Sequence, residues 1–187
     1  MILCGRVCDL RFLRENRTHD LICFEEGNVS IKFKSAVLFV KDMAASRRFY
    51  EEFLAQQVEV DFGANVGYVG GLALWEVGSA YSLVYGDKTP EMVVQGRDNL
   101  EVYFETADVG AVAKKLADAN VPVANALREQ PWGQRVLHVY DPDKHIVEIA
   151  EPLDATVRRL SADGLTPEEI CKRTMLPPEA VAHMLAG

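Results

Sequence analysis

No apolar run in the sequence approaches the roughly 20 residues a helix needs to span a bilayer. Cysteine is scarce and badly distributed: of four in 187 residues, Cys4, Cys8 and Cys23 precede position 28 and Cys171 alone follows. A secreted disulfide framework would spread its cysteines through the fold, so this pattern excludes one. Cys4 and Cys8 have a loose metal-ligand spacing, with His19 and Cys23 following, but no second tight Cys or His pair completes a structural zinc site. Arg6, Arg11, Arg14, Glu15 and Arg17 interrupt any signal-peptide core. Positive charge is also short, with 20 Lys and Arg against 28 Asp and Glu and a net charge of −8. That balance argues against nucleic acid or an anionic membrane as the main partner, since both need basic surface. No Gly-rich phosphate loop leads into a helix, and no Ser–His–Asp arrangement can be placed. The expected protein is cytoplasmic and reduced. What is present is a globular composition, 49% apolar and 26% charged, which excludes a disordered chain. A chain of this length buries roughly 70% of its unfolded surface, enough for a core without staples.

Three segments differ in pattern. Residues 1–28 show neither a helical nor a strand period. Glu25-Glu26-Gly27-Asn28 requires purine-rich codons that can contain a ribosome-binding sequence, and Val29 can be a GTG start. Residues 1–28 therefore read either as a translated leader or as an irregular N-terminal arm. Residues 29–152 are regular and repeat one order of elements. Lys32–Val40 alternates as a strand apolar on both faces, Asp42 sits at a helix N-cap, and Met43, Phe49, Tyr50, Phe53 and Leu54 form a helical stripe. Strand-like pieces follow at Val58–Phe62, Gly67–Val69, Leu72–Val77 and Tyr81–Tyr85, punctuated by glycines. The second half repeats this: a strand at Leu100–Thr106, a helix capped by Asp108, and strands near Pro122–Leu127, Gln134–Tyr140 and His145–Ala150. The order βαβββ thus occurs twice, as two similar modules sharing one structure.

Residues 153–187 turn helical. Thr166-Pro167-Glu168-Glu169 combines an N-cap, a first-turn Pro and a capping-box Glu, and Leu176-Pro177-Pro178-Glu179 opens another helix. The spacing mimics a helix-turn-helix. Arg158, Arg159, Lys172 and Arg173 face five acidic residues, however, and the segment that would read DNA has no Arg or Lys. A helical appendage packing on the main domain or a dimer partner is the expectation.

The run from Val37 through Asp42-Met43 into Arg48-Phe49-Tyr50-Glu51-Glu52-Phe53-Leu54 resembles the opening of the glyoxalase / bleomycin-resistance / extradiol-dioxygenase (vicinal oxygen chelate) superfamily. The run from Trp132-Gly133-Gln134-Arg135 through Asp141-Pro142-Asp143-Lys144-His145-Ile146-Val147-Glu148 is similar to that family's closing turn and strand, with Lys144 in place of the usual Gly. The resemblance covers about Lys32–Pro152. It implies an α+β fold of two βαβββ modules forming a cup-shaped mixed sheet, here with a C-terminal helical appendage. It also implies a homodimer and a cup that holds a metal and a small organic ligand. Carried over singly, the family's first ligand place holds Ser35, a poor ligand. The others fall at Glu76, Glu101 and Glu148. Three carboxylates facing one cup repel each other unless a cation joins them, and an all-oxygen set favours Mg²⁺, Mn²⁺ or a similar hard divalent cation.

Pairing across the Asp141–Lys144 turn adds a residue. If Tyr140 faces Ile146, His138 faces Glu148, with Cβ atoms about 5 Å apart. His138 and Glu148 are then the candidates for moving a proton. Parity makes Ser35, Phe39, Leu74, Tyr103, Trp132 and Gln134 candidates for binding the ligand. His145 is expected to be exposed in the turn, and His183 to be a surface or helix-packing residue of the tail. Three functions follow from these residues. One is a metal-dependent glyoxalase-like enzyme of isomerase or lyase type. Another is a metal-free protein that binds a drug or metabolite, and the weakest is a DNA-binding regulator using the tail.

Overall fold

A polar residue begins each main helix of the two repeats. In the first, the Asp42 carboxylate accepts from Ala45 N at 3.0 Å and starts α1 (Met43–Arg47), which continues as a π-helical stretch, Arg48–Phe53. In the second, Asp108 accepts from Ala111 N at 2.8 Å and starts α3 (Val109–Asp118). The structure is a computed structural model that describes residues 32–86, 96 and 98–187. The leader expected at residues 1–28, with Cys4, Cys8, His19 and Cys23, lies outside the described residues.

The first repeat supplies β1 (Ala36–Val40), β2 (Val58–Asp61), β3 (Asn65–Tyr68) and β4 (Leu72–Glu76), in the sheet order β1-β4-β3-β2. The second supplies β5 (Glu101–Glu105), β6 (Val123–Glu129), β7 (Arg135–Tyr140) and β8 (Ile146–Ala150), in the equivalent order β5-β8-β7-β6. In each sheet the first and fourth strands run parallel and the remaining pairs antiparallel. The fold is α+β, two βαβββ modules with C-terminal helices, as the repeat implied.

Each sheet buries one face. Leu38, Val40, Val66, Tyr68 and Leu74 of the first and Leu137, Val139, Val147 and Ile149 of the second join Phe49, Tyr50 and Leu116 in one apolar cluster. Leu74 is thus a core residue and not a wall of the cup: β1 and β4 pair Leu38 with Leu74, so both point to the helix side. Gly71, at φ +92°, lets the turn before β4 pass the β1 entry; a Cβ there would lie 2.8 Å from the Lys34 carbonyl.

The expected strand at Tyr81–Tyr85 is instead part of α2 (Val77–Tyr85). The Glu76 carboxylate accepts from Gly78 N at 2.9 Å and Ser79 N at 2.7 Å, which caps that helix. Tyr81 and Tyr85, four residues apart, meet edge to face at 5.2 Å, a contact that a helix permits and a strand does not. Large apolar side chains at every second position, Tyr81, Leu83 and Tyr85, imitate the strand period there.

A buried carboxylate links the modules. Asp141 Oδ2 accepts from Tyr50 OH at 3.0 Å and stands 2.9 Å from His145 Nδ1, while Oδ1 accepts from Asp143 N at 2.9 Å and His145 N at 2.8 Å. Asp143 in turn accepts from Lys41 N. His145 is therefore tucked under the turn, its side chain 13% exposed, rather than in solvent as expected.

The tail forms α4 (Leu153–Ala162), α5 (Pro167–Thr174) and α6 (Pro178–Ala186) around Val157, Leu160, Ile170 and Val181. Its capping box is present at Thr166 and Glu169. Among the described residues no helix is long and apolar enough to cross a membrane.

Tyr50→Phe leaves Asp141 one donor short in a dry site and is expected to cost about 1–3 kcal/mol, read from urea unfolding. Lys144 holds φ +67°, a conformation costly for a residue with a Cβ. Lys144→Gly is expected to stabilise by about 0.5–1 kcal/mol in the same measurement, the relief of strain exceeding glycine's extra entropy.

Candidate metal centre

Strand register determines which side chains share the open face of the second module. Between β7 and β8, Tyr140 pairs with Ile146 and His138 with Glu148, the register read from the turn. Between β5 and β8, Glu101 pairs with Ile146 and Tyr103 with Glu148. Side chains of cross-strand partners point the same way, so Glu101, Tyr103, His138 and Glu148 lie together.

The result is a cluster of three ligand-type side chains. His138 Nε2 stands 3.0 Å from Glu148 Oε2 and 3.6 Å from Glu101 Oε2. One donor atom from each of Glu101, His138 and Glu148 lies within 4.8 Å of the others. Burial, and after it the charge of Glu101, push the Glu148 carboxyl above its usual range, against the opposing pull of His138. Two carboxylates and one imidazole nitrogen converging on one point, one carboxyl held unwillingly as an anion, fit a divalent cation. The imidazole moves the preference from Mg²⁺ toward Mn²⁺ and its transition-metal neighbours.

Glu76 is not brought to this cluster. Val40 pairs with Glu76 across β1 and β4, which turns Glu76 to the opposite face from Phe39 and Trp75, and its carboxylate caps α2. A one-residue difference in a strand reverses the face. The first module's open face carries instead Val37, Phe39, Ala73 and Trp75, paired Val37 with Ala73 and Phe39 with Trp75. Trp75 and Tyr81 meet the Phe39 ring edge to face at 6.3 and 5.6 Å. Sequence parity alone missed Trp75 and Tyr81, because both faces of β4 are apolar and α2 was read as a strand. Ser35 is exposed just before β1. A crevice of about 280 Å³ joins Val37, Phe39 and Tyr81 to Leu100, immediately ahead of β5. A larger cavity of about 640 Å³ lies by Arg48, Phe49, Phe53, Val121 and Pro122 and contains none of the cluster's residues.

The remaining candidates form a chain of hydrogen bonds beside the cluster. Trp132 Nε1 donates to Gln134 Oε1 at 2.9 Å, and Gln134 Nε2 donates to the Tyr103 hydroxyl at 3.2 Å and the Glu151 carbonyl at 2.7 Å. Tyr103 donates to Glu105 Oε1 at 2.8 Å. Burial, then the bond to Glu105, push the Tyr103 phenol up to about 12, so it remains a donor at neutral pH.

The sequence matches the Glyoxalase-like domain family over residues 33–154. Among solved structures it is similar to a protein of unknown function from Agrobacterium tumefaciens str. C58, at 34% identity and a TM-score of 0.58, covering 66% of this chain and 95% of that one. A glyoxalase-related enzyme from Fulvimarina pelagi shares 24% identity at a TM-score of 0.54, over 65% of this chain and 88% of its own. A lactoylglutathione lyase from Agrobacterium tumefaciens shares 19% at 0.51, over 67% and 96%. The last two likenesses are of fold alone. No curated protein matches the sequence.

With its folded-state pKa raised, Glu148 contributes stability in acid that is lost as pH rises through that pKa. In chelator, Glu101→Gln is expected to flatten this loss and to raise the melting temperature at neutral pH. Thermal unfolding between pH 4 and 8 checks it.

Proposed function

The chain belongs to the glyoxalase-like family, and from that premise we propose that it binds a divalent cation through Glu101, His138 and Glu148 and acts there on a small oxygen-bearing organic ligand. The convergence of those three donors within 4.8 Å carries the reading. A cation in this place supplies Lewis-acid polarisation of a carbonyl or enol oxygen. Glu101 and His138 would hold it from β5 and β7, and Glu148 from β8. Glu148, a carboxylate 3.0 Å from His138, would accept a proton from carbon next to that oxygen and return it. The Tyr103 hydroxyl, whose proton goes to Glu105, would border the ligand from β5. Phe39 and Trp75 offer flat apolar surface for the ligand body. The corresponding reaction is an isomerisation or a lyase-type step, in which a proton moves and no external oxidant is required.

The exposed apolar side chains of the open faces, Val37, Val60 and Tyr103 among them, support a homodimer as the working assembly. A second reading is a metal-free binding protein for a drug or metabolite. It is favoured by one observation: on β1 and β4 the open-face positions are Val37, Phe39, Ala73 and Trp75, none with a ligand atom suited to a hard cation.

Calorimetric titration with Mn²⁺ separates the two. Wild-type protein is expected to bind Mn²⁺, and Glu148→Ala or His138→Ala to weaken it by more than about tenfold. Glu76→Ala is expected to leave Mn²⁺ affinity unchanged while losing about 1 kcal/mol of stability with the cap of α2. Absence of Mn²⁺ binding by the wild type, with small-molecule binding indifferent to chelator, would select the second reading.

A further inference from the structure

The tail reaches toward the candidate site through one arginine. Arg159 of α4, its side chain 15% exposed, donates from Nε to Glu151 Oε1 at 3.0 Å, from Nη2 to Glu151 Oε2 at 2.8 Å, and from Nη2 to the Gly133 carbonyl at 2.5 Å. Its Nη1 donates to Glu129 Oε2 at 3.1 Å, and Arg173 of α5 donates to the same glutamate. Thr156 Oγ1 adds a bond to Glu151 Oε2 at 3.0 Å. Glu151 is accordingly held below the usual carboxylate range: its burial opposes the ionised form, but the bonds from Arg159 and Thr156 prevail.

The β6–β7 turn is where the tail seats. Gly133 has φ +92°, and a Cβ there would lie 2.9 Å from Leu160 Cδ1 of α4 and 3.4 Å from Arg173 Nε of α5. The next residue is Gln134, 6% exposed. Three separate partners use its amide: Trp132 supplies a donor to the oxygen, and the nitrogen supplies one proton each to the Glu151 carbonyl and the Tyr103 hydroxyl. No hydrogen of that amide is left for a ligand. The Tyr103 oxygen accepts from Gln134, so the phenol proton is directed away from the turn, toward Glu105 on the open face. Tyr103 is the register partner of Glu148.

We propose that Arg159 and Gln134 are positioning residues through which the C-terminal helices set the direction of the Tyr103 hydroxyl at the candidate site. This rests on the reading of Glu101, His138 and Glu148 as that site. It assigns Gln134 a role different from substrate contact and gives the helical tail a function in the site's geometry. Docking of α4 fixes Glu151 and Gly133, these fix the Gln134 amide, and the amide orients the phenol. A fork-shaped guanidinium is needed because two acceptors, a carboxylate and a carbonyl, are held at once; a lysine ammonium cannot span both in one plane.

NMR of the full chain with Cζ-labelled tyrosine and labelled glutamine tests this, Tyr103 being assigned through Tyr103→Phe. In Arg159→Ala, the Tyr103 signal is expected to shift and the Gln134 side-chain N–H groups to exchange at least about tenfold faster. Arg159→Lys should give a partial effect. Arg158→Ala, on the same helix but bonded to Asp154 and the Met184 carbonyl, should give none. Should Arg159→Ala fail to fold, the isosteric Glu151→Gln tests the same link and should move the same two signals. Unmoved Tyr103 and Gln134 signals in a folded variant would overturn the proposal and leave Arg159 as a fastener of the tail. Addition of Mn²⁺ to wild-type protein separates the two readings. Broadening of the Tyr103 signal supports the metal site, and its absence removes that site while the variant signals still judge the link.

Discussion

The buried carboxylate of Asp141 is the constraint on which the other features depend. A carboxyl group in a dry place survives only if its polar atoms find partners, and here Tyr50 from the first module, the His145 ring and two backbone N–H groups supply them. The two backbone bonds shape the β7–β8 turn. The turn sets the register, and the register places His138 opposite Glu148. The Tyr50 bond ties the same turn to the helix of the other module. A single polar knot therefore connects module packing, hairpin geometry and the candidate chemistry. It is built from residues that have no part in that chemistry themselves.

Much of this was legible in the sequence, for physical reasons. The repeat was visible because capping acids and strand alternation recur at matching places, at Asp42 and Asp108 above all. His138 and Glu148 could be paired because a short turn with Asp and Pro leaves little freedom of register. Glu76 and Leu74 could not be placed, since β4 is apolar on both faces and joins β1 in parallel, with no tight turn to fix the parity. Their neighbours Trp75 and Ala73 occupy the open face instead. The helix α2 was hidden because Tyr81, Leu83 and Tyr85 alternate like a strand, and its cap is a glutamate, an uncommon residue for that place. The burial of His145 needed knowledge of what lay beneath the turn, which only the Tyr50–Asp141 bond discloses.

The two modules share a topology but have diverged in chemistry. The second gathers acids and a histidine on its open face, whereas the first presents Phe39, Trp75 and Tyr81. Duplicated elements thus supply an electrostatic half and an apolar half, a division suited to a ligand with an oxygen-bearing end and a flat body. The helical tail attaches to the electrostatic half through Glu151, Glu129 and the Gly133 turn. Its own small core of Val157, Leu160, Ile170 and Val181 makes it a rigid support for that half.

The central claim is that Glu101, His138 and Glu148 form one cation site. Anomalous diffraction from crystals soaked in Mn²⁺ tests it most directly. A peak at bonding distance from Glu101, His138 Nε2 and Glu148 together is the expected result. A peak elsewhere, or density showing the three side chains joined only to one another at saturating Mn²⁺, would contradict it.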